Sequence, residues 1–342
     1  MNLNDSFNDF EICVDWLEFT LHNVDIVKAC SLVGLNFFDF EVQNNGALGY
    51  SKYAKHTCSS IAIMWEGSDS MGCHFRVTGS SIIYFFESFI YSRMNDTPFG
   101  SSAIEVDDFT DYYYAMLFDI IRQYGKVTRL DLALDDYTGK FYNTDSILDN
   151  LNNCKVVSKF KTYECIFKRK LSDNSSMGHT IYFGSRTSDI MLRVYDKKIQ
   201  KNSDVDFWNR WEFELKNNKA NDVVDIIIKR NCVGQLFFEL LNNQLRFIEL
   251  DDCNRSRCSV QGLWLDFLNG VGKCNLSIHK SVKTAFTKLQ WLESQCFPTL
   301  SGLLKYNDGD MSFFYDVAEK SFERNSPSSK RLFNKEVEYV IQ

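Results

Sequence analysis

Arg129-Leu130-Asp131-Leu132-Ala133-Leu134-Asp135-Asp136 decides the reading of this chain. Side chains on a strand alternate between two faces. The three leucines therefore share one face, and Arg129, Asp131, Ala133 and Asp135 share the other. Two further segments repeat the pattern. In Arg210-Trp211-Glu212-Phe213-Glu214-Leu215-Lys216 the apolar residues again share a face, opposite Arg210, Glu212, Glu214 and Lys216. In Ile190-Met191-Leu192-Arg193-Val194-Tyr195-Asp196-Lys197, Ile190, Leu192 and Val194 point one way and Arg193, Tyr195 and Lys197 the other. If these strands lie in one sheet with their apolar faces on helices, their polar faces merge into one surface. It carries four carboxylates, a tyrosine and several Arg and Lys.

An ordinary solvated sheet face also carries charges, and opposite-sign pairs across strands are normal. Carboxylates at alternate positions on two strands do, however, concentrate oxygen ligands of the kind a hard divalent ion such as Mg²⁺ or Mn²⁺ takes. Such an ion polarises a phosphoryl oxygen as a phosphodiester is attacked. The tyrosine adds a second possibility. A phenol, with a pKa of about 10, is a better leaving group than an alcohol. Its attack on a DNA phosphate gives an ester that a later hydroxyl can reverse. Enzymes that cut and later reseal need that step; hydrolytic nucleases do not. Flanking Arg193 and Lys197 would stabilise phosphate charge.

Outward from these strands, Glu11–Leu21 reads as a first strand, followed by a short helix over Val24–Leu32 that Gly34 closes. Residues 37–79 read as short strands with turns at Asn44-Asn45-Gly46 and Gly67-Ser68-Asp69. The spacing predicts a helix over Asp108–Gln123, ended by Gly125. Thr144 caps a helix to about Asn152. Lys159–Lys168 and His179–Phe183 are strands. After Asn217 the pattern turns helical, with a break at 326–330; Trp264, Phe267 and Trp291 read as core. The expected fold is α+β: a mainly antiparallel sheet with helices packed on one face, then a helical C-terminal part. The expected division is a catalytic domain over 1–220 and a helical region over 221–342, serving DNA binding or dimerisation.

Composition narrows the function. The chain has 342 residues, 44% hydrophobic and 24% charged, enough for a packed core. No apolar run reaches the roughly 18 residues that a membrane span needs. The polar, acidic stretch 1–10 is unlike a secretory leader, and 11 scattered cysteines fit reduced thiols, so a cytoplasmic protein is expected. Cys253 and Cys258 have no second pair beside them for zinc. The net charge is −7, yet residues 151–220 hold 14 Lys and Arg against 8 Asp and Glu. A basic patch on an acidic protein suits a polyanion site while limiting non-specific binding. The five histidines include no His-x-His pair. There is no phosphate-binding loop of the Gly-x4-Gly-Lys-Ser/Thr type and no Gly-x-Ser-x-Gly elbow, which disfavours ATP hydrolysis and esterase chemistry.

Six segments, in order, resemble the replication-initiation-factor family (Rep_trans), initiators of rolling-circle plasmids and relaxases of conjugative elements. They are Val14-Asp15-Trp16-Leu17-Glu18-Phe19-Thr20, Met71-Gly72-Cys73-His74-Phe75, Thr128–Asp136, Thr180–Asp189, Leu192–Lys197 and Arg210–Lys216. The resemblance implies a divergent rolling-circle endonuclease fold. It implies an enzyme that nicks one strand of single-stranded or cruciform origin DNA and stays joined to the 5′ phosphate through tyrosine. It further implies a divalent metal, a homodimer and a host helicase. By the family pattern the nucleophile is Tyr195, with Tyr182 the competitor and Arg193 and Arg129 assisting. The metal ligands carry over to Asp131, Asp135, Glu212 and Glu214. The departure is the start: many conjugative members carry an N-terminal helix-turn-helix, whereas here the first strand begins almost at once. The alternative is a non-catalytic origin-binding protein with the same fold.

Overall fold

The computed structural model describes residues 10–68, 70–94, 110–201, 203, 205–269, 297–310 and 312–323. Trp291 and the break expected at 326–330 lie outside these residues. The chain divides into two compact units, 1–278 and 279–342. The first unit begins with strand β1 (Phe10–Leu21), helix α1 (Ile26–Leu32) and strands β2 (Phe40–Val42), β3 (Lys52–His56), β4 (Ala62–Trp65) and β5 (Cys73–Thr78). Helices α2 (Ser81–Met94) and α3 (Thr110–Tyr124) lead to β6 (Gly125–Asp136), α4 (Thr144–Asn152) and β7 (Val156–Ser158). Then come β8 (Tyr163–Arg169), β9 (Ser176–Phe183), β10 (Ile190–Asp196), α5 (Lys197–Lys201) and β11 (Asn209–Lys216). The unit continues through α6 (Asn217–Arg230), α7 (Gly234–Gln244), β12 (Leu245–Phe247) and α8 (Gly262–Asn269). The second unit contributes two described helices, Phe297–Tyr306 and Ser312–Glu323.

Among the described residues ten strands form one sheet in the order β2-β3-β4-β5-β1-β6-β11-β10-β9-β8, and β12 pairs with β7 apart from it. All the pairings are antiparallel. The fold is thus the expected α+β arrangement. The alternation explains why. Leu130, Leu132 and Leu134 of β6 and Trp211, Phe213 and Leu215 of β11 are fully buried in one core. Leu117, Phe118 and Ile121 of α3 and Val223, Val224 and Ile227 of α6 share that core. Each such side chain contributes about 1.5–3 kcal/mol by leaving water. Because α6 packs against α3, β6 and β11, the boundary expected at 220 falls inside the first unit.

Local signals set the element ends. Gly34 sits at φ +76°, as the end of α1 requires, and a Cβ there would lie 2.5 Å from Phe89 Cα. Gly125 is needed for close approach: a Cβ would meet the Thr20 carbonyl oxygen at 1.8 Å. The cap of α4 is Asn143 rather than Thr144. Its side chain accepts from Ser146 N–H, and the Ser146 hydroxyl accepts from Asn143 N–H. A single residue upstream completes this reciprocal pair, and Thr144 becomes the first helical residue.

One irregularity shapes the site. In β1 the pairing with β6 shifts between Val14 and Trp16, so Asp15 is an extra residue. A bulge of this kind re-aims side chains. Here it leaves both Cys13, opposite Ala133, and Trp16, opposite Asp131, on the polar face.

Candidate active site

The three predicted strands are adjacent in the sheet: β6 pairs with β11 and β11 with β10. Their register sets Asp135 beside Arg210 and Arg210 beside Tyr195; one step along, Ala133 is beside Glu212 and Glu212 beside Arg193. The polar residues of the three strands therefore meet on one face. The Tyr195 hydroxyl donates to Glu212 Oε2 at 2.8 Å and accepts from Lys197 Nζ at 3.1 Å. Lys197 is the first residue of α5, yet its side chain folds back along the tyrosine, 5.3 Å from the ring centre. Arg193 pairs with Glu212 and reaches Asp131 Oδ2 at 3.4 Å.

Arg129 binds both oxygens of Asp131, at 2.8 and 2.7 Å, and Glu214 Oε2 at 2.8 Å. It also lies over the Trp16 ring, 4.2 Å from its centre. Lys216 takes the second Glu214 oxygen at 2.5 Å. Asp131 and Glu212 have no exposed surface, while the side chains of Arg129 and Arg193 are 21% and 24% exposed. Cations thus form a layer above a floor of carboxylates. Asp135 belongs to a separate knot. Arg210 holds it through two guanidinium nitrogens, Trp208 Nε1 donates to it at 2.6 Å, and Arg210 also reaches Asp15 at 2.5 Å.

Burial governs the electrostatics. Burial first, and then the Glu212 charge, push the Tyr195 phenol well above its ordinary range. Burial and the nearby Arg210 charge lower Lys197. Burial raises Asp131 to about 7; Arg129 opposes this and the Glu212 charge reinforces it. The site therefore favours the neutral phenol, hydrogen-bonded to Glu212 Oε2.

The four predicted metal ligands share a face but do not form a ligand set. Each is engaged by Arg, Lys or Trp donors, and Asp135 sits in its own knot with Arg210. Among the described residues no three of His, Cys, Asp or Glu are grouped to hold a metal ion. As arranged, these carboxylates do not fit a divalent ion. Tyr182, opposite Arg193 on β9, is half-buried with Arg186 over its ring at 5.0 Å. His74 contacts Thr20 at 3.0 Å and Glu18 at 3.5 Å; His179 stacks on Phe167 at 4.0 Å and lies 3.5 Å from Asp145. His74 makes no contact with the Tyr195 cluster, whereas His179 lines the same cleft as Tyr195 without a hydrogen bond to it. Asp15, Trp16 and Trp208 are the participants that strand alternation missed. A bulge carries the first two to the face, and Trp208 precedes the strand.

A large antiparallel sheet with helices on one face is the architecture of a rolling-circle replication initiator. The chain belongs to the replication initiation factor family, whose model matches residues 125–316. It is similar to a solved rolling-circle replication initiator protein from Geobacillus stearothermophilus, with TM-score 0.66 and 28% identity over 78% of this chain and 98% of that one. It is also similar to a putative DNA relaxase NicK of Bacillus subtilis (strain 168), 29% identical over 205 residues, 57% of this chain. The match spans 58% of that relative's length. No described helix is long and apolar enough to cross a membrane.

Proposed function

We propose that this protein is a replication initiator or relaxase that nicks one strand of origin DNA and becomes joined to the 5′ phosphate through Tyr195. The observation that carries the reading is the Tyr195 hydroxyl held between Glu212 and Lys197 on the polar face. Glu212 takes the phenolic proton as the oxygen attacks phosphorus. The Tyr195 O–P bond forms, the P–O3′ bond breaks, and the departing 3′ oxygen takes up a proton. Lys197 faces the phenol oxygen and Arg193 lies beside it, so positive charge is in place where negative charge develops. Resealing is the reverse: a 3′ hydroxyl attacks the phosphotyrosyl ester and Tyr195 leaves as the phenol. The ester conserves the bond energy, which a hydrolytic cut would discard.

The resemblance implies Mg²⁺ or Mn²⁺, whose chemistry would be charge neutralisation at the phosphate. Because the carboxylates stand in ion pairs, every step above is carried by the protein's own residues. The substrate is origin DNA, single-stranded or extruded as a cruciform. A second copy of the chain and a host helicase are the expected partners, in the cytoplasm. The test is a covalent adduct with single-stranded DNA from the element's own origin. Tyr195→Phe should lose the adduct and Tyr182→Phe should keep it. The opposite result transfers the nucleophile to Tyr182. Binding of origin DNA without nicked product would make the protein a non-catalytic origin binder.

A further inference from the structure

We propose that Trp16 is a positioning residue: it holds the Arg129 guanidinium in the orientation that presents its free edge to the phosphate, and acts on the reaction through Arg129. This rests on the nicking reading above and adds a residue that strand alternation left out. The register sets Arg129 directly opposite Glu18 of β1. An ion pair across the strands is the ordinary outcome at such a position. Here Glu18 is already engaged. Its Oε1 accepts from Trp16 Nε1 at 2.9 Å and from Arg76 Nε at 2.8 Å, and His74 Nε2 lies 3.5 Å from its other oxygen. Arg129 makes its ion pairs with Asp131 and Glu214 instead, and its guanidinium rests on the Trp16 indole. Trp16 reaches this face only because Asp15 is an extra residue in β1.

Two sets of contacts fix the planar fork of Arg129. The carboxylates engage Nε and Nη2 along one edge. The indole holds the cation over its ring face, which keeps the fork from swinging away. What remains is Nη1, which has no hydrogen-bond partner among the described residues. Its two N–H groups are left to meet a ligand. Arg129 and Arg193 approach a single oxygen, Asp131 Oδ2, at 2.7 and 3.4 Å. Arg193 in turn pairs with Glu212, the acceptor of the Tyr195 hydroxyl. The free edge of Arg129 thus belongs to the same face as the phenol. A guanidinium suits a phosphate because its N–H groups match the oxygens in pairs. A donor that is oriented beforehand needs no reorganisation as charge builds on those oxygens. Without the indole, Arg129 loses the contact that keeps it from Glu18, its partner in the register.

The test uses the full chain and an oligonucleotide from the element's own origin in single turnover, with rates expressed per folded molecule. Trp16→Leu should slow adduct formation about tenfold at saturating DNA, the size of one well-placed contact between a cation and an indole. The Kd for the DNA, read by anisotropy, should change less than about twofold. Trp16→Phe keeps a ring face and drops the N–H to Glu18, so it should lose only about threefold. Arg129→Ala should lose about 10²-fold. Adding Trp16→Leu to Arg129→Ala should change the rate less than about twofold, because a residue that acts through Arg129 has nothing left to act on. If Trp16→Leu does not fold, Trp16→Phe carries the same cycle. A second readout needs no activity: in protein carrying nitrogen-15 arginine, the Arg129 Nε–H resonance, assigned by its absence in Arg129→Ala, should move in Trp16→Leu as the shielding of the indole is lost. A normal rate in Trp16→Leu, an equal loss with and without Arg129, or an unmoved resonance would overturn the assignment. A moved resonance in a chain that forms no adduct would sink the nicking reading and leave Trp16 as the support of Arg129. An adduct whose rate is indifferent to Trp16 would do the reverse.

Discussion

The Tyr195 hydroxyl donates a 2.8 Å hydrogen bond to Glu212 across the β10–β11 pair. The acceptor is fully buried, so this phenol meets a fixed base rather than solvent. Replacing Glu212 by Gln keeps the shape and removes the proton acceptor. Adduct formation should then slow by about 10²–10⁴-fold, the usual contribution of a positioned general base. DNA affinity should change little. A single-turnover assay with single-stranded origin DNA measures the rate and anisotropy measures the affinity. A Glu212→Gln protein that forms adduct at the normal rate would remove Glu212 from the mechanism.

Glu18 carries a pH signature. Burial opposes its ionisation, but hydrogen bonds from His74, Trp16 and Arg76 prevail and hold its carboxyl at about 2. A carboxyl depressed on folding contributes stability above its unfolded value of 4.5, and that contribution is lost as pH falls toward 2. Glu18→Gln should therefore cost about 1–3 kcal/mol at pH 7, after allowance for partial solvent exposure. The difference between the two proteins should shrink steadily between pH 4.5 and 2. Urea unfolding at a series of pH values tests this. A difference that stays constant with pH would mean that Glu18 acts through packing alone.

The polar face was legible because alternation is a property of each strand by itself. Arg129, Asp131 and Asp135, then Glu212 and Glu214, then Arg193 and Tyr195 could be assigned to a face without knowing their neighbours. Which carboxylate meets which cation could not, because that depends on inter-strand register, and register is a relation between segments distant in sequence. Four acids in alternation therefore read as a metal site, when the register had set Arg129, Arg193, Arg210 and Lys216 against them. The bulge at Asp15 hid a second contribution. One inserted residue reverses the parity of β1, so Trp16 joins the face that Val14 avoids. The helix cap failed more narrowly, since Asn143 and Thr144 are both good caps and only the reciprocal bond with Ser146 separates them.

The Arg210–Asp135 pair should behave as a structural element. Arg210 is 4% exposed and Asp135 is fully buried. Removing one partner of a buried pair leaves an uncompensated charge, which costs about 3–5 kcal/mol. Arg210→Ala should thus lower the urea midpoint strongly. Asp135→Asn, which keeps an acceptor for Trp208 and Arg210, should cost less and leave adduct formation per folded molecule unchanged. If Asp135→Asn instead abolishes the adduct in a protein of normal stability, Asp135 belongs to the chemistry and the division of this face into two clusters is wrong.

Arg193 decides whether the carboxylates can receive a cation from solution. It bridges Glu212 and Asp131, so a divalent ion would have to displace the guanidinium before gaining two oxygen ligands. Arg129 imposes the same condition at Asp131 and Glu214. The attraction a metal gains there is offset by the ion pairs it breaks and by the charge left buried on the arginine. The free protein should accordingly bind Mn²⁺ only weakly, with Kd on the order of millimolar, below what the all-oxygen sites of dedicated ion-binding proteins reach. Arg193→Ala removes the resident cation and frees both carboxylates. Mn²⁺ affinity should then rise at least tenfold, as measured by calorimetry or by electron paramagnetic resonance of the free ion. The same variant should lose nicking, because positive charge beside the phenol is lost. Micromolar Mn²⁺ binding by the unaltered protein, unchanged in Arg193→Ala, would show that a ligand set exists elsewhere and that the arginine layer does not control access to these acids.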